Sequence, residues 1–289
     1  MISIYKRKSM YLRFGLFFSL LFPLIACADI CSQIDKVDTA RYSAEIGSRT
    51  VTFLAIDLKN NHKCWAISKQ RLNERHSPYS TFKIPHSLIA LESGAVTAID
   101  KTVEWNSSQY PSKPYWPDTW KQPQSLASAF QRSAVWFYQD LVPRIDPKEY
   151  KKWLGRFEYG NQKFTPGSNQ FWLNNELKIS PVEQVNFLVC LLETRCGISE
   201  KNVSAFEKIS LVERKDGLFL YAKTGAGPID PDNMDGAFEG WYVGYIKDEN
   251  ADPVIAFALY VKAENFSSLR DFRKILSLKL MNDLGYWRE

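Results

Sequence analysis

Pro78-Tyr79-Ser80-Thr81-Phe82-Lys83 opens a mostly apolar stretch that continues through Ile84, Leu88 and Ile89 to Ser93. The pattern predicts a helix over Ser80–Ser93, with Pro78 just ahead of its start. Serine and lysine three positions apart then share one helical face, with Cβ atoms about 5–6 Å from each other. An unassisted serine hydroxyl is a poor nucleophile and needs a base. Lysine can be that base if burial among apolar neighbours disfavours its ammonium form. The outward N–H groups of the helix start favour an anion near Ser80 Oγ. Alone, the pair is weak. A chain of this length contains roughly one such spacing by chance.

A second stretch gives the first its weight. Leu218-Phe219-Leu220-Tyr221-Ala222 reads as a strand that ends in Lys223-Thr224-Gly225, with Ala226-Gly227 following. A strand edge beside a serine nucleophile can hold an extended, amide-bearing substrate by backbone hydrogen bonds. Lys223 and Thr224 can hold a carboxylate, and Gly225 lets a substrate approach the backbone. His86, six residues after Ser80, falls about 120° away around the helix and cannot be its direct partner there. There is no G-x-S-x-G elbow. The three histidines, His62, His76 and His86, form no metal-binding spacing, and no metal is expected.

Periodicity places strands at Arg49–Leu58, Cys64–Ile67, Leu218–Lys223, Gly240–Lys247 and Pro253–Val261. Between the early and late strands, the best helical stretches are Ser125–Leu141 and Ser180–Leu192. A last helix spans Ser268–Leu284. Ser180-Pro181-Val182-Glu183 has the form of a capping box with proline at the first helical position. Strands at both ends with helices between them predict an α/β (α+β) fold: an antiparallel sheet flanked by helices, with an inserted helical subdomain.

S-x-x-K followed far downstream by K-T-G is the arrangement of penicillin-recognising serine enzymes. Here the intervening landmarks are Ser133-Ala134-Val135, Tyr159-Gly160-Asn161 and Phe171-Trp172-Leu173. Gly240-Trp241-Tyr242-Val243-Gly244 follows the K-T-G. The ordered set closely resembles the class D β-lactamases, or oxacillinases, over nearly all of the chain beyond residue 28. The resemblance implies a serine β-lactamase/transpeptidase-like fold with the site between an α/β part and a helical part. It implies that Ser80 is acylated and that Lys83 is the general base, carried as N6-carboxylysine formed from carbon dioxide or bicarbonate. It further implies that Ser133 relays protons to the leaving nitrogen and that Trp172 donates its indole N–H to the carbamate. Lys223, Thr224 and Arg270 would engage the substrate carboxylate, with Arg273 the rival to Arg270. The backbone N–H groups of Ser80 and Ala226 would form the oxyanion hole. No other cofactor is implied.

The residue chemistry is compatible with a carbamate. Val135 stands where S-D-N enzymes carry a polar residue, which dries the pocket and pushes Lys83 towards its neutral, carbon-dioxide-reactive form. Glu176, the nearest glutamate after Tyr159, lies in a polar Asn174-Asn175-Glu176 loop and makes a poor base. Leu173 and Val135 gate water and carbon dioxide, or else serve as ordinary packing. Trp172 and Tyr159 have packing readings too.

Charge and cysteines set the context. Lys6, Arg7, Lys8 and Arg13 precede an apolar run from Phe14 to Ile25 and small residues at Ala26-Cys27-Ala28, the form of a secretory signal. Leu24-Ile25-Ala26-Cys27 also resembles a lipoprotein signal, which would lipidate Cys27. The run is too short for a stable membrane span. Of 37 basic residues, four lie in 1–28, against none of the 32 acidic ones, so the remainder carries a net charge of +1. That gives no support to nucleic-acid binding. The expected organisation is a signal over 1–28 and one domain over 29–289, its α/β part about 29–80 and 212–289, its helical part about 81–211. The expected setting is the periplasm, and the expected partner is a small β-lactam substrate. A homodimer is compatible with the sequence. Cys31, Cys64, Cys190 and Cys196 allow three pairings, among which sequence does not choose.

Two other functions share the motif logic. One is a β-lactam sensor that acylates and stays acylated. It is disfavoured because only Asp29–Tyr79 separates the export signal from the active-site helix, too little for a receptor's membrane part. The other is a cell-wall transpeptidase or carboxypeptidase, against which size and the Trp172 environment count. Burst without turnover separates both from the hydrolase.

Overall fold

The computed structural model describes residues 30–288, and the expected signal lies outside them. Among these residues the strands are β1 (Gln33–Lys36), β2 (Thr50–Asp57), β3 (Lys63–Ile67), β4 (Leu211–Lys215), β5 (Leu218–Pro228), β6 (Phe238–Lys247) and β7 (Pro253–Ala263). They form one sheet in the order β1-β3-β2-β7-β6-β5-β4. Neighbours are antiparallel except β1 and β3, which run parallel. The antiparallel sheet read from sequence is therefore corrected to a mixed one at that edge. Gln33-Ile34-Asp35-Lys36 is short and polar, so no apolar alternation announces it.

The helices are α1 (Ser43–Ile46), α2 (Lys83–Glu92), α3 (Leu126–Arg132), α4 (Val135–Leu141), α5 (Pro147–Arg156), α6 (Pro181–Leu192), α7 (Glu200–Ser210), α8 (Phe266–Arg270) and α9 (Phe272–Asp283). The central strands alternate between two cores. Leu54, Ile56, Trp241, Val243, Ala258 and Tyr260 face the inserted helices, joining Leu88 of α2 and Leu188 of α6. Phe53, Ala55, Tyr242, Phe257 and Leu259 face the other way, onto Leu276 and Leu280 of α9. Apolar residues on both faces explain why β2, β6 and β7 read as nearly continuous apolar runs. Burying each such side chain contributes roughly 1.5–3 kcal/mol.

Several boundaries differ from the sequence reading in ways that matter for the site. Ser125–Leu141 is two helices, broken where Ser133 takes a left-handed conformation (φ 59°) and Ala134 is extended. The chain does not leave β5 at Lys223-Thr224-Gly225, because the strand continues to Pro228. The C-terminal helix is interrupted at Asp271. The capping box forms as read: Ser180 Oγ accepts from the Glu183 N–H at 3.3 Å, and Glu183 accepts from the Ser180 N–H at 2.9 Å. Such a cap is worth about 1 kcal/mol. Cys31 pairs with Cys64, and Cys190 with Cys196. No helix among the described residues is long and apolar enough to cross a membrane.

Candidate active site

The helical wall of the cleft starts with a tight turn. Tyr79–Phe82 is a 3₁₀ turn that passes into α2 at Lys83. Side chains three apart nearly eclipse in a 3₁₀ turn, closer than on an α-helix. Lys83 Nζ accordingly donates to Ser80 Oγ at 2.8 Å. Lys83 is 1% exposed, whereas Ser80 is half-buried and open to the cleft. Burial, and then the charge of Lys223, push the Lys83 ammonium well below the usual lysine range.

An aromatic shell supplies that burial. The Tyr138 ring lies 5.1 Å from Lys83 Nζ. His86, one turn along α2 from Lys83, packs against Tyr138, Tyr150 and Trp172. Its Nε2 pairs with the Tyr150 hydroxyl at 2.7 Å, so it is a core group and no partner of Ser80. Burial, and then Lys83, hold the His86 imidazole down to about 3, neutral at any physiological pH. Trp172 is fully buried and stacks on Phe82 with ring centroids 5.6 Å apart. Its indole N–H has no hydrogen-bond partner, a costly state for a buried donor. Leu173 beside it is half-buried, as is Val135 at the first position of α4.

The sheet wall is β5. Lys223 Nζ donates to Ser133 Oγ, and to the Thr224 carbonyl at 3.2 Å. The left-handed turn at Ser133, between α3 and α4, presents its hydroxyl to Lys223 across the cleft. Burial first, and then Arg273, lower the Lys223 ammonium to about 7. β4 pairs only with Leu218–Tyr221, so β5 from Ala222 onwards has a free edge on that side. Thr224 and Ala226 are half-buried along this stretch.

Two assignments change. Gly225 is glycine for a different neighbour than a substrate: a Cβ there would lie 2.7 Å from the Pro78 carbonyl oxygen and 3.0 Å from the Thr81 nitrogen. Its bareness lets β5 dock directly on the turn that carries Ser80. Arg270 is exposed and pairs with Asp271 3.2 Å away. Arg273, one turn on and 6% exposed, donates to the Gly225 carbonyl at 2.6 Å. The structure therefore puts Arg273, not Arg270, behind the Lys223-Thr224-Gly225 segment. Glu176 accepts from Thr165 at 2.6 Å, away from these groups. The sequence reading missed the His86–Tyr138 shell. The i, i+3 spacing of Lys83 and His86 was the available signal.

Ser80 with Lys83 and Ser133 with Lys223 thus form two hydrogen-bonded pairs, close enough for the Lys223 charge to act on Lys83, with an open strand edge beside the second. Residues 51–277 match the penicillin binding protein transpeptidase domain. The chain belongs to the class D β-lactamase family of penicillin-recognising serine enzymes. Among its relatives is the probable β-lactamase YbxI of Bacillus subtilis, 32% identical over 203 residues, or 70% of this chain and 72% of that one. The regulatory protein BlaR1 of Bacillus licheniformis is 32% identical over 205 residues, 71% of this chain. The chain spans only about a third of that protein's length (32%). A class D β-lactamase from Sebaldella termitidis has a similar structure, with a TM-score of 0.78 and 31% identity over 89% of this chain and all of that one. The relatives thus include both β-lactamases and a regulatory protein.

Proposed function

We propose that this chain hydrolyses the β-lactam amide of penicillins and related antibiotics through an acyl-Ser80 intermediate, and so confers resistance. The observation that carries the reading is the 2.8 Å contact of Ser80 Oγ with a wholly buried Lys83. A neutral amine at that distance takes the hydroxyl proton as Oγ attacks the β-lactam carbonyl. The backbone N–H groups of Ser80 and Ala226 meet the developing oxyanion. Ser133, held by Lys223, passes a proton to the departing nitrogen. Lys223, Thr224 and Arg273 receive the substrate carboxylate. Arg273 keeps an unpartnered buried Nε behind its bond to Gly225.

Carboxylation of Lys83 by carbon dioxide belongs to the same proposal. The pocket fits an added anion: Lys83 is dry and readily neutral, and the unpartnered Trp172 N–H in its aromatic shell is a donor in want of an acceptor. A carboxyl group there would supply an anionic base for acylation and for the water that releases the acyl group. Val135 and Leu173, both half-buried, control access of water and carbon dioxide.

Export to the periplasm is part of the reading, supported by the basic and apolar leader and by two disulfides, which persist in oxidising compartments. N-terminal analysis of the exported protein distinguishes cleavage after Ala28 from lipidation at Cys27. The likeness to BlaR1 favours a second reading, a sensor that acylates without turnover. Turnover of a chromogenic cephalosporin by purified protein, with and without bicarbonate, decides between them. Sustained turnover supports the hydrolase, and a stoichiometric burst that stops supports the sensor.

A further inference from the structure

Beside Ser80 lies a second buried polar cluster, one the reaction above does not use. Glu239, on β6 and 6% exposed, accepts from the Tyr79 hydroxyl at 3.0 Å and from the Tyr260 hydroxyl, and lies 3.4 Å from His76 Nδ1. Burial works against its charge, but the bonds from His76, Tyr260 and Tyr79 outweigh it and hold the carboxyl below the usual range. A buried carboxylate with three partners is rigid, because each partner lost leaves a charge underhydrogen-bonded. Two of the three, His76 and Tyr79, lie just ahead of the nucleophile.

Tyr79 needs such an anchor. It precedes Ser80 directly and takes φ 48°, a left-handed conformation that a bulky side chain holds only when its surroundings over-determine it. Its N–H donates to the Trp172 carbonyl at 3.1 Å, and its hydroxyl reaches Glu239 and the Pro228 carbonyl, the latter at 3.3 Å. Its ring fills the space that a side chain at Gly227 would need. Gly227 pairs with Glu239 across β5 and β6, and Ala226 is its chain neighbour. One tyrosine therefore bears on Ser80 through its backbone and on the residue next to Ala226 through its ring.

We propose that Glu239 is a positioning residue: through the Tyr79 hydroxyl it fixes the spacing of the Ser80 and Ala226 N–H groups that meet the oxyanion. This rests on the acyl-serine reading of the site. A purely structural role for the cluster would lower stability and leave the rate per folded molecule unchanged. A positioning role lowers the rate of the step in which the oxyanion forms.

The test uses Tyr79→Phe and Glu239→Gln, each of which keeps side-chain shape, and their combination. The readouts are the rate constant for labelling of Ser80 by a fluorescent penicillin, kcat and KM on a chromogenic cephalosporin, and the thermal midpoint. Each single variant should label about 10- to 150-fold more slowly, the range set by one charge-assisted hydrogen bond. KM should stay within about twofold, because the interaction acts in the transition state. The double variant should be no slower than the slower single, since both cut the same link. Wild-type labelling rates in folded variants, or losses that multiply in the double variant, overturn the proposal. If Glu239→Gln fails to fold, Tyr79→Phe decides, for it leaves the carboxylate two partners. Absence of Ser80 labelling in the unaltered protein overturns the acyl-serine reading and this inference with it. Normal wild-type labelling with unaffected variants overturns this inference alone.

Discussion

Two buried lysines close on the cleft from opposite walls. Lys83 comes from the helical wall, with the Ser80 hydroxyl as its hydrogen-bond partner and aromatic rings around it. Lys223 comes from the sheet, with the Ser133 hydroxyl and the Thr224 carbonyl as acceptors. Burial lowers both, and in each case the next cation along adds to it: Lys223 acts on Lys83, and Arg273 on Lys223. The outcome is graded. Lys83 falls well below its ordinary value, Lys223 to about 7, and Arg273 only to about 10. Three cations in a row cannot all keep their protons cheaply, and the driest one yields first. Environments that push like groups apart divide roles between them. On the proposed reading, the lysine beside Ser80 serves as the base and the one on the strand, which gives up its proton less readily, serves as the cation.

The largest test of that division removes each lysine in turn. Lys83→Met should lower kcat by about 10²–10⁴, the range of general-base catalysis. Lys223→Met should weaken substrate capture as well, raising KM in steady-state assays. If the two variants show the same kcat and KM pattern, the division of roles fails. Next in size is Trp172→Phe, which keeps most of the ring and removes the unpartnered N–H. A charge-assisted bond of about 1.5–3 kcal/mol corresponds to a roughly 10- to 150-fold shift towards free lysine. Slower deacylation, accumulated acyl-Ser80, partial recovery in bicarbonate and a weakened ¹³C carbamate signal should follow. Full turnover of this variant in buffer stripped of carbon dioxide sinks the carbamate.

A smaller effect tests the cation row at its far end. Arg273→Ala should raise KM roughly tenfold, by loss of one charged hydrogen bond, with a lesser change in kcat. Arg270→Ala, on an exposed residue paired with Asp271, should be within twofold of the parent. A reversal of that order in the kinetics restores Arg270. The smallest effect is in pH. Lys223 is protonated below about 7, so its charge is present for the substrate carboxylate there and is lost as pH rises through that value. In carbon-dioxide-free buffer, kcat/KM should therefore fall about threefold between pH 6.5 and 7.5 from this group alone. Bicarbonate should move that limb upward, since an anion on Lys83 favours the Lys223 ammonium. A limb that ignores bicarbonate breaks the coupling between the two walls.

Sequence exposed the two lysines better than their surroundings. Ser80 and Lys83 are near neighbours in the chain, and Lys223 follows a plain run of apolar residues from Leu218 to Ala222. Long, doubly buried strands such as β2, β6 and β7 are loud in the same way. The left-handed break at Ser133 was silent because it uses neither glycine nor proline. β4 was overlooked although Asp216-Gly217, both at positive φ, is a strong hairpin signal ahead of β5. Its end at Leu211, opposite Tyr221, is what leaves the substrate edge free. Arg273 could not be told from Arg270 by spacing. The choice depends on the pause at Asp271 that turns one arginine inward and the other out. Tyr79, His76 and Glu239 meet only in three dimensions, with Glu239 160 positions from Tyr79.

The bare half of β5 has a further side. An exposed strand edge is a template for any extended chain, and natural sheets blunt such edges with short length, inward charges and proline. At the opposite margin of this sheet, β1 is covalently tethered to β3 through Cys31–Cys64. At the bare margin, the protection lies in the sequence of the edge itself: an inward Lys223, glycines at 225 and 227 and Pro228 as the terminus. Only the stretch from Ala222 to Pro228 is on offer, which limits the ladder a neighbouring molecule could form. The free edge that the proposed reaction would use to hold a small amide is thereby kept short as a template for self-association, and an apolar replacement at Lys223 would remove an inward charge that guards it.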